Sequence, residues 1–161
     1  HRRKLNMRQA LELKVNGQLY EVFVEPWQSL AVVLREELGL IGLKVVCDTG
    51  GCGACTVLID GKTVKSCLML AFQATGKEIL TIEGLATAEG LHPLQEAFIE
   101  HFAVQCGYCT PGMILKAKAL LDENPDPTED EIREGLSGNL CRCTGYVKIV
   151  EAIMVAKEKV K

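Results

Sequence analysis

The first part of the chain alternates apolar and polar residues in the way that half-buried β-strands do. From Leu11 to Val15 every second residue is apolar, and Asn16-Gly17 follows, the dipeptide most typical of a tight hairpin turn. The alternation resumes from Tyr20 to Val24, and Pro26 stops it because proline cannot donate to a strand ladder. The pattern therefore predicts a β-hairpin at the start of the chain.

Three further segments complete a small unit of strands and one helix. Residues 29–38 carry apolar side chains at helical spacing, and Ser29 precedes them. Residues 56–59 and 63–64 flank a second turn at Asp60-Gly61, and residues 79–82 form a short apolar run. Hairpin, helix, hairpin and strand in this order predict an α+β domain over residues 1–84.

After about residue 84 the pattern changes to the period of helices, and residues 85–90 are small and polar enough to be a linker. Pro111 opens a second helix that Asn124-Pro125 ends, and Thr128 begins a third with Glu131 at the capping-box position. A fourth helix runs from about Tyr146 to the C-terminus. Residues 85–161 are therefore predicted to form a compact four-helix bundle. The apolar positions of its first helix are Leu94, Ala97, Phe98 and Phe102.

Composition and charge exclude several classes of protein. The chain has 161 residues, 48% of them hydrophobic, and its 18 basic against 21 acidic residues give a net charge of −3. A nucleic-acid-binding protein usually has a basic excess, so we expect no nucleic-acid partner. No apolar run approaches a membrane span. Residues 1–7 are basic but lead into no apolar segment, so we expect no secretion signal and a cytoplasmic location.

Eight cysteines fall into two groups, and the first has a specific spacing. Four disulfides would need a secreted scaffold with little core, which this composition does not suggest. C-x4-C-x2-C followed by a distant cysteine is the spacing of plant-type ferredoxins, in which four thiolates hold a [2Fe–2S] cluster. The intervening Gly50, Gly51 and Gly53 allow the chain to wrap closely round such a cluster. The four cysteines are Cys47, Cys52, Cys55 and Cys67.

The second group reads C-x2-C, a gap of 31 residues, and C-x-C, and both pairs precede predicted helix starts. Helix N-termini stabilise anions, so they suit an anionic thiolate centre. From the spacing alone, this group is equally consistent with structural zinc. His1, His92 and His101 lie outside both groups, which argues against a Rieske centre with two histidine ligands. The four cysteines are Cys106, Cys109, Cys141 and Cys143.

Three segments together resemble the iron–sulfur subunit of the xanthine oxidase family of molybdenum hydroxylases. They are residues 47–57 (CDTGGCGACTV), 105–113 (QCGYCTPGM) and 138–146 (GNLCRCTGY), and the similarity extends from Leu11 onward. The resemblance implies an N-terminal β-grasp ferredoxin domain followed by a C-terminal four-helix bundle. It also implies that each cysteine group holds one [2Fe–2S] cluster.

The same resemblance implies a mechanism and partners. Substrate would be oxidised at a molybdopterin centre on a large subunit, and electrons would pass through the helical-domain cluster and the ferredoxin-domain cluster to FAD on a medium subunit. The assembly would be a heterotrimer or its dimer. Gln105 would reach the pterin, and Cys143 would lie near it. Relatives act on purines, nicotinate, aldehydes, carbon monoxide or hydroxybenzoyl-CoA, and the large subunit selects among them.

Two other functions remain open at this point. A free-standing ferredoxin with two clusters would be an electron carrier, and it would be a stable monomer without an apolar contact surface. A zinc-stabilised adaptor would bind partners without redox chemistry, and it would be colourless.

Overall fold

The computed structural model describes residues 7–160; the basic start at residues 1–6 and residue 161 lie outside the described part. The regular elements are five strands and five α-helices, joined by short 3-10 turns. They are β1 (Gln9–Val15), β2 (Gln18–Val24), α1 (Leu30–Val32), β3 (Thr56–Ile59), β4 (Lys62–Lys65), β5 (Glu78–Leu80), α2 (Pro93–Glu100), α3 (Thr110–Glu123), α4 (Glu129–Gly135) and α5 (Val147–Val160).

The five strands form one mixed sheet in the order β2-β1-β5-β3-β4. Both predicted hairpins are confirmed: β1 pairs with β2 and β3 pairs with β4, each antiparallel, whereas β5 runs parallel to β1. Asn16 and Gly17 have φ of 51° and 78°, and Asp60 and Gly61 have 50° and 78°. Two consecutive left-handed residues are what a type I′ turn requires, so the turn dipeptides set the strand register.

The helix predicted over residues 29–38 is present but is not α-helical throughout. Ser29 accepts a hydrogen bond from the Val32 amide, as expected for an N-cap, and α1 then continues as a π-helical turn over Val33–Glu37. The π turn arises because the Leu38 amide bonds to the carbonyl of Val33, five residues back. Its buried face fills the core between the helix and the sheet.

Four helices follow the sheet and share a second core, built mainly from α2, α3, α4 and α5. Thr128 and Glu131 form the predicted capping box. Phe102 does not belong to this core: α2 ends at Glu100, His101 caps it, and Phe102 adopts φ of 54° and is 79% exposed. Among residues 7–160, no helix is long and apolar enough to cross a membrane.

The sheet and the helices touch along β3 and α3 with very close backbone contact. A Cβ added to Gly112 near the start of α3 would lie 2.5 Å from the carbonyl oxygen of Gly53, closer than real side chains come. Gly53 has φ of 73°, and a Cβ added to it would lie 2.5 Å from the carbonyl oxygen of Gly138. Glycine at these positions lets the two cysteine-bearing parts of the chain pack directly against each other.

Candidate metal centres

The first cysteine group lies on the loop between the π turn and β3 and on the turn after β4. This loop points backbone N–H groups at sulfur: the amides of Thr49 and Cys52 lie 3.5 and 3.4 Å from the Cys47 sulfur. The sulfurs of Cys55 and Cys67 lie 3.3 Å apart. Amides directed at sulfur stabilise thiolates.

The thiols of this group differ in pKa because their surroundings differ. Hydrogen bonds from Thr49 and Cys52 lower the pKa of Cys47 to about 6. Burial and the adjacent Cys55 thiol together raise the pKa of Cys67 to about 11. A bound metal cation reverses the effect of burial, because a coordinating thiol is deprotonated outright. Cys67 is therefore a poor nucleophile but a suitable ligand.

All four cysteines of the second group line one cavity of about 490 Å³. Cys109 is the N-cap of α3, and Cys141 and Cys143 precede α5. Burial raises the pKa of Cys109 to about 12. The Cys141 sulfur receives the Thr144 amide at 3.4 Å, and the Cys141 amide donates to the Tyr146 hydroxyl at 3.0 Å.

Six of the eight sulfurs approach one another in pairs. Tetrahedral zinc needs four ligands round one ion, whereas each iron of a [2Fe–2S] cluster takes two thiolates. The arrangement therefore fits a binuclear cluster better than a mononuclear ion. The close pairs are Cys55 with Cys67, Cys106 with Cys143 at 3.5 Å, and Cys109 with Cys141.

A polar network connects the two groups, and its members were not identified from the sequence. The amide of Leu140, next to Cys141, donates to the carbonyl of Cys52 at 2.8 Å. The Asn139 side chain is buried and donates to the Gly53 carbonyl, and the Lys65 ammonium bonds to Asn139. Lys65 and Asn139 are 74 residues apart, so no local pattern could have indicated their contact.

Gln105 directly precedes Cys106 of the second group, and both residues are exposed. Within the described part of the chain, its side-chain amide makes no hydrogen bond, so it is available to another molecule. His92 and His101 both lie at the ends of α2. His92 is the N-cap of α2, where its Nδ1 accepts from the Leu94 amide, and His101 is the C-cap.

Two protein families match adjoining parts of the chain. The family described as "2Fe-2S iron-sulfur cluster binding domain" matches residues 13–81, which include the first cysteine group. The family described as "[2Fe-2S] binding domain" matches residues 81–154, which include the second. Both matches fall on the cysteine groups whose geometry is described above.

Similar proteins are iron–sulfur subunits. The nicotinate dehydrogenase small FeS subunit of Eubacterium barkeri is 52% identical over 93% of this chain and 96% of its own length. The nicotine 6-hydroxylase small subunit of Paenarthrobacter nicotinovorans is 50% identical over 92% of this chain and 90% of its own length.

Solved structures with this fold include a chain of similar length and parts of longer chains. A chain of quinoline 2-oxidoreductase from Pseudomonas putida 86 superposes with a TM-score of 0.91 at 49% identity, covering 94% of this chain and 95% of that one. Aldehyde oxidoreductase from Desulfovibrio gigas gives a TM-score of 0.89 at 44% identity, but only 17% of that chain is covered. The chain therefore belongs to the small iron–sulfur subunits of the xanthine oxidase family of molybdenum hydroxylases, and it is an electron-transfer subunit with two [2Fe–2S] binding domains.

Proposed function

We propose that each cysteine group binds one [2Fe–2S] cluster. The pairing of the sulfurs is the observation that supports this most strongly, because each iron of such a cluster takes two thiolates. The first cluster would be held in a β-grasp ferredoxin domain, residues 1–84, and the second in a four-helix bundle, residues 85–161. The ligands of the first would be Cys47, Cys52, Cys55 and Cys67, and those of the second Cys106, Cys109, Cys141 and Cys143.

Electrons would enter at the second cluster and leave from the first. Cys106 and Cys143 are exposed, so their cluster would lie close to a docked subunit. Molybdopterin on a large subunit would supply the electrons, and FAD on a medium subunit would accept them. The unpartnered amide of Gln105 offers a donor and an acceptor for a pterin edge, and Cys143 would lie beside the same cofactor. The chemistry on the substrate would take place on the large subunit and not on this chain.

The surface near the second group favours a subunit over a free ferredoxin. Large apolar side chains near these cysteines are exposed, which is typical of a permanent interface. A heterotrimer with the large and medium subunits, or a dimer of it, would cover them. Thiol-bound clusters and eight free cysteines favour a reducing, cytoplasmic location. The exposed apolar residues are Phe102, Val104, Tyr108, Leu140 and Val147.

Co-expression of the chain with its large and medium subunits tests this assembly. The three should purify together, and Phe102→Asn should weaken the complex about tenfold or more, because it removes a large exposed aromatic contact. Asparagine tolerates the left-handed backbone at this position, so the fold should be kept. Leu19→Asn, at an exposed residue on β2, is the control. A chain that stays monomeric beside both subunits would favour the free ferredoxin.

A further inference from the structure

One lysine ammonium lies between the two cysteine groups. Lys65 is the last residue of β4, two residues before Cys67. Its Nζ donates to the Gly138 carbonyl at 2.8 Å, to Asn139 Oδ1 at 2.8 Å and to Thr56 Oγ1 at 3.3 Å. An ammonium has three N–H donors, and all three are used. The positive charge is therefore fixed in place.

This charge has no carboxylate partner. Among residues 7–160, no Asp or Glu oxygen lies within salt-bridge distance of Lys65. Lys65 pairs with Thr56 across the β3–β4 hairpin, so it lies beside the residue that follows Cys55 as well as two residues before Cys67. Burial lowers the pKa of its ammonium and Lys116 lowers it as well, whereas the thiols of the first cysteine group raise it. An anionic centre held on the sulfurs of the first cysteine group would therefore lie close to a positive charge that no carboxylate neutralises.

The other half of the chain holds the ammonium in position. Asn139 is only 2% exposed, and its Nδ2 donates to the Gly53 carbonyl and to Thr56 Oγ1, each at 3.1 Å. These bonds orient the amide so that Oδ1 faces Lys65. Asn139 is thus a positioning residue: it belongs to the segment of the second group and fixes a charge beside the first.

We propose that Lys65 biases electron sharing toward the cluster on Cys47, Cys52, Cys55 and Cys67. This inference rests on the proposed function. A one-electron reduction makes a cluster more anionic, and a fixed cation stabilises the reduced form of the nearer cluster more. One electron leaves the reduced second cluster and enters the oxidised first cluster; no bond changes and no proton moves. Lys65 makes that step more favourable.

Redox titration followed by EPR, on the chain purified with its partner subunits, tests the proposal. Lys65→Met removes the charge and keeps the length of the side chain. The equilibrium constant for electron transfer from the second cluster to the first should fall about tenfold. For one electron this corresponds to about 59 mV. Lys65→Gln is a second neutral variant in case the first does not fold. Lys65→Arg keeps the charge, and Lys62→Met removes an exposed charge from the same strand.

The proposal is supported if both neutral variants lower the potential of the first cluster while Lys65→Arg and Lys62→Met stay near wild type. Unmoved potentials in the neutral variants would overturn it. An equal shift in Lys65→Arg would also overturn it, because the effect would then come from packing and not from charge. Zinc without any EPR signal in the wild type would instead reject the proposed function, and this inference with it.

Discussion

Cys52→Ser should abolish the EPR signal of one cluster and leave the other signal intact, and Cys106→Ser should do the reverse. Each variant should lose about half of the iron and sulfide, because the two ligand sets come from separate segments of the chain. Serine is close to cysteine in size but lacks the thiolate that iron prefers. Metal analysis and EPR of the dithionite-reduced variants measure this.

Because the two cysteine groups are in contact, this experiment is a strict test of whether their ligands are separate. Cys52 lines the cavity of the second group, and its carbonyl accepts the Leu140 amide. That bond involves backbone only, so a serine at position 52 leaves it in place. Loss of both signals in either variant, with circular dichroism and thermal unfolding unchanged, would show that the ligands are shared and that the assignment is wrong.

Gln105→Ala should slow the reduction of both clusters by substrate about 10- to 100-fold while leaving their EPR signals present. The proposed bond from Gln105 to the pterin would be made next to a buried cofactor, where losing one such bond costs about 1–3 kcal/mol. Rapid-freeze EPR of the assembled complex measures the rate. The substrate would be whichever of nicotinate, a purine or an aldehyde reduces the wild type fastest.

Two variants sharpen this experiment. Gln105→Glu keeps the shape but loses the amide donor, so it should also be slow. Gln9→Ala alters an exposed glutamine on β1, and the clusters of this variant should be reduced at the wild-type rate. Wild-type kinetics and cofactor content in Gln105→Ala would make Gln105 an ordinary polar loop residue.

Features set by local chemistry could be predicted from the sequence. Asn16-Gly17 and Asp60-Gly61 specify their turns because both residues must adopt positive φ, so the two hairpins followed directly. The Thr128 capping box marked the start of α4 for a similar reason. The spacing of the first cysteine group predicted an iron–sulfur site, and each of the two groups falls within one of the matched [2Fe–2S] families.

Features set by contacts between distant segments could not be predicted. Helical spacing placed Phe102 on an inner face, yet the chain leaves the helix before it, and the side chain points to solvent. The contacts of Lys65 with Gly138 and Asn139 exist only because β3 and α3 pack closely, with glycine at positions 53 and 112. Each of these depends on packing between distant segments, which cannot be read from a short stretch of sequence.

Iron and acid-labile sulfide content of the purified wild-type chain tests the central claim most directly. Two [2Fe–2S] clusters require about four irons and four sulfides per chain, and the protein should be red-brown. The preparation should contain no stoichiometric zinc. A colourless protein with stoichiometric zinc and no labile sulfide would contradict the account, because its eight cysteines would then be structural and could carry no electrons.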